Sequence, residues 1–160
     1  MKNRFFFILV SLVLLAGTVG AAAAEELRVF ASRDFQPALG EITRLFAQQT
    51  GFEVGTTSGN STALAEKIIR GAKADVFFPA TESDMQLVVE KGLVDVALKR
   101  NVLVVPPSEP PEEGETPEIQ YTSAAVLRDA PNRLQAMAFL EFLASEPARE
   151  AFARQGFALP

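Results

Sequence analysis

The sequence has no cysteine and no histidine. Without cysteine there is no disulfide, no thiolate metal site and no lipid-attachment thiol. Without histidine, catalytic triads built on imidazole and the common zinc sites are excluded. Carboxylate chemistry remains open, yet no aspartate or glutamate pair stands where acid/base catalysis would need it, so an enzyme is not expected, and no cofactor is implied. Positive charge is also scarce: 15 Lys and Arg against 20 Asp and Glu leave a formal charge of −5. That balance argues against nucleic acid or an anionic membrane surface as partner. Any anion this chain holds must be gripped by local hydrogen-bond donors, against the sign of the global field.

Long apolar runs are confined to the start. Lys2 and Arg4 precede Phe5 to Ala16, which is almost free of polar side chains, and Ala21 to Ala24 follow. Charged start, short apolar run and small-residue cleavage site form the layout of a secretory signal. The run is too short to favour a permanent membrane span. Cleavage is expected near Ala24, with an uncleaved N-terminal anchor as the alternative; cleavage gives an exported chain of about 136 residues, one ordinary domain, with formal charge −7 and no membrane insertion.

Beyond residue 25 the pattern alternates. Leu27 to Ala31 reads as a strand, and Phe35, Leu39, Ile42, Leu45 and Phe46 fall on one face of a helix ending at Gly51. Phe52 to Thr56 and Ala63 to Ala72 repeat the unit, and Asp75 to Phe78 and Glu82 to Lys91 repeat it again. Val102 to Val105 reads as a fourth strand. Residues 106–118 then break the pattern: Pro106 to Pro117 holds five prolines and four glutamates and no apolar side chain, a solvated linker. Structure resumes at Ile119 with a strand around Tyr121 to Val126, then helices over Asn132 to Ala144 and Pro147 to Gln155. Alternating strands and helices imply an α/β fold whose sheet is covered on both faces.

Val29-Phe30-Ala31, Ser58 to Ala65, Gly71 to Phe78, Ala124 to Asn132, Phe139 to Leu143 and Arg154 to Phe157 together resemble the periplasmic molybdate-binding protein family, the substrate-binding component of ABC transporters. The resemblance covers nearly the whole of residues 25–160. It implies a type II periplasmic binding fold, in which two α/β lobes close on a tetrahedral oxyanion. This chain matches only the outer pieces, 25–105 and 119–160, which build one lobe: a mostly parallel sheet of four or five strands flanked by about five helices. Residues 106–118 stand where the second lobe would be. The implied location is the periplasm. The implied ligand is a small oxyanion of the molybdate or tungstate kind, bound weakly or with a partner completing the shell, and the implied partners are an ABC permease or a second copy of the chain. Two other outcomes stay open: a partner-binding or sensor module that no longer holds oxyanion, and a non-functional, internally deleted paralogue.

Ligands of open α/β sheets bind outside the carboxyl ends of the strands, where loops enter helices. The loop Ser58 to Thr62 supplies small and hydroxyl residues whose N–H and O–H groups can converge on an anion, assisted by the helix dipole. Asn60, Ser61 and Thr62 are the candidates there. By the resemblance Ser61 is the donor to the oxyanion, although Asn60 or Ser61 acting as a helix cap explains the same residues. In the loop after the first strand the candidates are Ser32, Arg33 and Asp34. The family's second ligand serine falls on Asp34, and a carboxylate facing a dianion is repulsive: two unit charges at 4 Å cost about 4 kcal/mol at an effective dielectric near 20. Three readings are open for Asp34. It caps the first helix, with Pro37 in the first turn; it accepts a proton from a protonated oxyanion; or Arg33 and Ser32 have taken over the binding role. Asp75 is expected to be a structural acceptor at a strand end. Tyr121, on the returning strand, is given no ligand role.

Overall fold

The computed structural model describes residues 26–105 and 120–160; the export segment 1–24 and the Pro/Glu-rich segment 106–118 expected from the sequence lie outside the described residues. The strands are β1 (Leu27–Ser32), β2 (Val54–Gly59), β3 (Val76–Phe78), β4 (Val94–Val105) and β5 (Gln120–Leu127). They form one sheet in the order β2-β1-β3-β5-β4. All three residues of β3 are buried, as a central strand covered on both faces requires.

Side chains of successive strand residues point to opposite faces, and the helices divide accordingly. On one face Val29, Ala31, Val76, Phe78, Ala124 and Val126 pack with Leu39, Ile42 and Phe46 of α1 (Gln36–Thr50), Phe139 of α4 (Arg133–Leu143) and Phe152 of α5 (Glu146–Arg154). On the other, Phe30, Phe77, Ala125 and Leu127 pack with Leu64, Ala65 and Ile68 of α2 (Ser61–Ile69) and Met85 and Val88 of α3 (Glu82–Glu90). The result is three layers. Helix α1 ends at Gly51, whose φ of 76° lets its N–H turn back to the Ala47 carbonyl at 2.8 Å.

The sheet is mixed. β1 pairs in parallel with β2 and β3, as the strand–helix alternation implies, but β5 lies antiparallel between β3 and β4. The crossover from β3 through α3 to β4 keeps the expected direction and leaves a gap one strand wide. β5 fills it from the opposite direction, because the sequence between β4 and β5 has no apolar helical pattern for the crossover that a parallel return needs. β4 is also longer than the expected Val102–Val105. Its first two thirds, with Asp95, Lys99, Arg100 and Asn101, are the charged, bulged outer strand typical of a protected sheet edge.

Charges on that edge are paired across it. Lys99 donates to Glu82, and Arg133 at the start of α4 donates to Asp95. The Arg133 hydrogen bond holds the Asp95 carboxyl below the ordinary aspartate range against the opposing effect of desolvation, with the Ala97 N–H and the charges of Arg133 and Arg128 adding to the depression. A depressed folded-state value means that the pair's contribution to stability is present above the unfolded aspartate value and is lost as pH falls through the folded one. A carboxyl NMR titration is expected to place Asp95 below an ordinary aspartate and, in Arg133→Gln, to move it upward; an unchanged midpoint in the variant would remove Arg133 as the cause.

Asp75, just before β3, is fully buried. Its Oδ2 accepts from the Arg28 N–H at 2.8 Å and from Asn132 Nδ2 at 3.2 Å, and its Oδ1 accepts from the Asn132 N–H at 2.8 Å. The carboxylate thus latches β1 and the entry of α4 at the amino end of β3, as a structural acceptor.

Candidate functional site

In the order β2-β1-β3 the chain leaves β1 for its neighbour on one side, then crosses back to the other. The two crossover helices therefore lie on opposite faces, and a crevice opens at the carboxyl ends where the direction reverses. Strand register places the loops there: Ser32 is opposite Gly59, and Ala31 is opposite Phe78. A cleft of ≈ 420 Å³ lies among the three loops, lined by Ser32, Arg33, Asp34, Gly59, Asn60, Ser61, Ala80, Thr81 and Asp84. Five of the six residues singled out from the sequence line it; Thr62 does not.

On the α2 side, Asn60 caps the helix, its Oδ1 accepting from the Ala63 N–H at 3.0 Å. The Leu64 N–H makes the first helical bond, to the Asn60 carbonyl at 3.0 Å. The N–H groups of Ser61 and Thr62 are then the ones that helix geometry leaves without a backbone acceptor. Ser61 is 5% exposed, and its Oγ accepts from the Ala80 N–H at 2.9 Å. One bond joins the second loop to the third, and the Ser61 proton stays available to an acceptor in the cleft. The Ala80 carbonyl in turn accepts from the Thr122 hydroxyl of β5 at 3.4 Å, so this peptide is held from both sides.

On the β1 side, a turn of 3₁₀ helix over Arg33–Phe35 precedes α1, and Ser32 is its cap. The Ser32 hydroxyl donates to Asp34 Oδ2 at 2.9 Å, while the Asp34 N–H approaches Ser32 Oγ at 3.4 Å. This corrects the reading of Asp34 as the cap of the first helix: α1 is entered from Phe35, with no side-chain cap, and Pro37 sits in its first turn. The short 3₁₀ turn moves the capping role two residues upstream and leaves Asp34 exposed at the cleft. It also spends the Ser32 proton on Asp34, against the reading in which Ser32 donates to a ligand. Arg33 is exposed and makes no ion pair among the described residues.

The third loop was not singled out from the sequence. Thr81 caps α3, and both Thr62 and Thr81 donate to Asp84, at 2.7 and 2.6 Å. Thr62 is therefore a strut between α2 and α3. The signal was present: Thr81-Glu-Ser-Asp84 has the spacing of a capping box, and Phe78 ends a parallel strand just as Ser32 and Gly59 do. Among the described residues no group of three or more acidic side chains is arranged to hold a metal ion, and no helix is long and apolar enough to cross a membrane.

A family model described as bacterial extracellular solute-binding protein matches residues 27–116 and 108–158. The molybdate-binding protein ModA of Escherichia coli K12 is 29% identical over 105 residues, which is 64% of this chain and 41% of that protein. Iron uptake protein A1 of Synechocystis is 32% identical over 102 residues, 64% of this chain and 27% of that protein. The chain thus spans less than half the length of the curated relatives it matches. Among solved structures, the periplasmic molybdate-binding protein of Azotobacter vinelandii superposes with a TM-score of 0.73 at 15% identity, covering 84% of this chain and 100% of that one.

Proposed function

Because the chain belongs to the bacterial extracellular solute-binding protein family, we propose that it is a periplasmic solute-binding component of the ABC-transporter type, reduced to one lobe, and that the cleft at the ends of β1, β2 and β3 receives a small tetrahedral oxyanion. One observation carries this reading: Ser32, Arg33, Asp34, Asn60 and Ser61 line a single cleft at a topological switch point. Its donors are amides at a helix N-terminus and a buried hydroxyl, which suit an anion without needing a basic surface. The molybdate-binding relatives support the ligand class, and the iron-uptake relative leaves the particular solute to experiment.

With residues 106–118 in place of a second lobe, half of the ligand shell comes from elsewhere. Hydrogen bonds to a charged group contribute about 1.5–3 kcal/mol each. Two or three missing ones weaken affinity on the order of a thousandfold or more. The monomer then binds weakly, and tight binding comes with a second copy or a permease over the cleft. Light scattering with and without anion separates the self-capped dimer from the monomer.

Thermal denaturation with molybdate, tungstate, sulfate and phosphate at constant ionic strength tests the reading, since a ligand of the native state raises the melting temperature by mass action. At least one anion is expected to do so, and Ser61→Ala is expected to abolish the rise. Loss of the acceptor for the Ala80 N–H also lowers the variant's stability by about 1–2 kcal/mol. If no anion moves the melting temperature of the parent protein, the cleft is not an oxyanion receptor.

A further inference from the structure

Resting on the oxyanion reading above, we infer that the cleft selects oxyanions that still carry a proton, hydrogen phosphate or a chemical equivalent, over fully deprotonated ones such as sulfate and molybdate, and that Asp34 enforces the choice.

The charged side chains lining the cleft are Arg33, Asp34 and Asp84. Asp84 is occupied: each carboxylate oxygen already receives a threonine hydroxyl, at 2.7 and 2.6 Å, and its own N–H reaches Thr81 Oγ1 at 3.2 Å. Asp34 is different. One oxygen takes the Ser32 proton at 2.9 Å, and the other has no hydrogen-bond partner among the described residues. Arg33 makes no ion pair with it and attracts anions of equal charge alike, so it does not discriminate among hydrogen phosphate, sulfate and molybdate.

A ligand in the cleft therefore meets two chemically opposite walls. The α2 side offers donors, namely the amides of the first helical turn and the Ser61 hydroxyl, while the β1 side offers a carboxylate acceptor whose neighbouring hydroxyl has no proton left to give. An oxyanion with one O–H matches both walls, accepting at its bare oxygens and donating to Asp34. A fully deprotonated anion of the same net charge sets a bare oxygen lone pair against the carboxylate and can make no hydrogen bond to it. The charge-assisted O–H···O⁻ bond to Asp34, which only the protonated oxyanion can form, makes the expected preference on the order of a hundredfold.

Amide NMR titration of the purified protein at neutral pH and constant ionic strength measures this even where affinity is weak. The signals to follow are Ser61 and Thr62, and the probes are inorganic phosphate, sulfate and molybdate. Phosphate, the one probe with an O–H to donate to Asp34, is expected to bind about a hundredfold more tightly than the other two. Asp34→Asn keeps an acceptor for Ser32, removes the charge and adds a donor; in it the preference is expected to fall to a few-fold, through tighter sulfate and molybdate binding. Asp34 is exposed, so the substitution leaves the fold intact. Sulfate or molybdate binding the parent protein as tightly as phosphate overturns the assignment while leaving the oxyanion receptor standing. So does an Asp34→Asn variant that keeps the full phosphate preference. Silence from all three anions in both proteins overturns the receptor itself.

Discussion

Asp75→Ala is expected to lower the free energy of unfolding by about 3 kcal/mol, enough to consume a large part of the 5–15 kcal/mol typical of a domain this size. The Arg28 and Asn132 backbone N–H groups have Asp75 as their acceptor, and the carboxylate between them has no exposed surface. Removing it takes the charged acceptor away from two N–H donors that point into the interior. The Asn132 side chain fares better, because its Nδ2 also reaches the Glu26 carbonyl at 3.3 Å. Asp75→Asn is not a rescue: an amide nitrogen would have to face one of those N–H donors. Urea unfolding followed by circular dichroism gives the change in midpoint. A loss below about 1 kcal/mol in Asp75→Ala would mean that the latch between β1, β3 and the α4 entry is dispensable.

Phe78→Ala is expected to cost about 3–5 kcal/mol, the range for truncating a buried phenylalanine. Phe78 is fully buried, stacks on Phe35 with ring centroids 4.4 Å apart, and meets the edge of Phe152 at 6.1 Å. Phe157 closes the group against Phe35 at 5.5 Å and Phe152 at 6.0 Å. These rings anchor two of the cleft's loops, since Phe35 ends the turn that holds Asp34 and Phe78 precedes the loop that holds Ala80. They also join residues from both ends of the described chain. The variant is therefore expected to lose anion response along with stability, whereas Phe78→Leu, which refills most of the space, is expected to recover most of both. Equal losses in the two variants would show that ring geometry, and not volume, is what the site requires.

The parts of the fold that were legible in the sequence are those whose burial is one-sided or complete. β1, β3 and the apolar faces of α1 and α2 carry their signal in side-chain spacing. The apolar pattern puts β2 about two residues early, because Gly55-Thr-Thr-Ser-Gly59 has no apolar side chain to mark an edge strand. The apolar pattern marks only the last third of β4, because the residues before it carry the charges that protect an edge, and these resemble a loop. The direction of β5 was missed for a different reason: alternation reports crossovers, and β5 is reached without one.

By itself, the sequence determined the fold class, the family likeness and the strand ends where a ligand would sit, because periodicity and short-range capping chemistry are local properties of the chain. Only the tertiary structure decided what each polar group at the cleft is free to do. The Ser32 proton is spent on Asp34, the Ser61 oxygen is taken by Ala80 nineteen residues away, and Thr62 is bound to Asp84. A hydroxyl or carboxylate has the same formula wherever it stands, and its remaining hydrogen-bonding capacity is set by the neighbours that strand register brings within 3 Å.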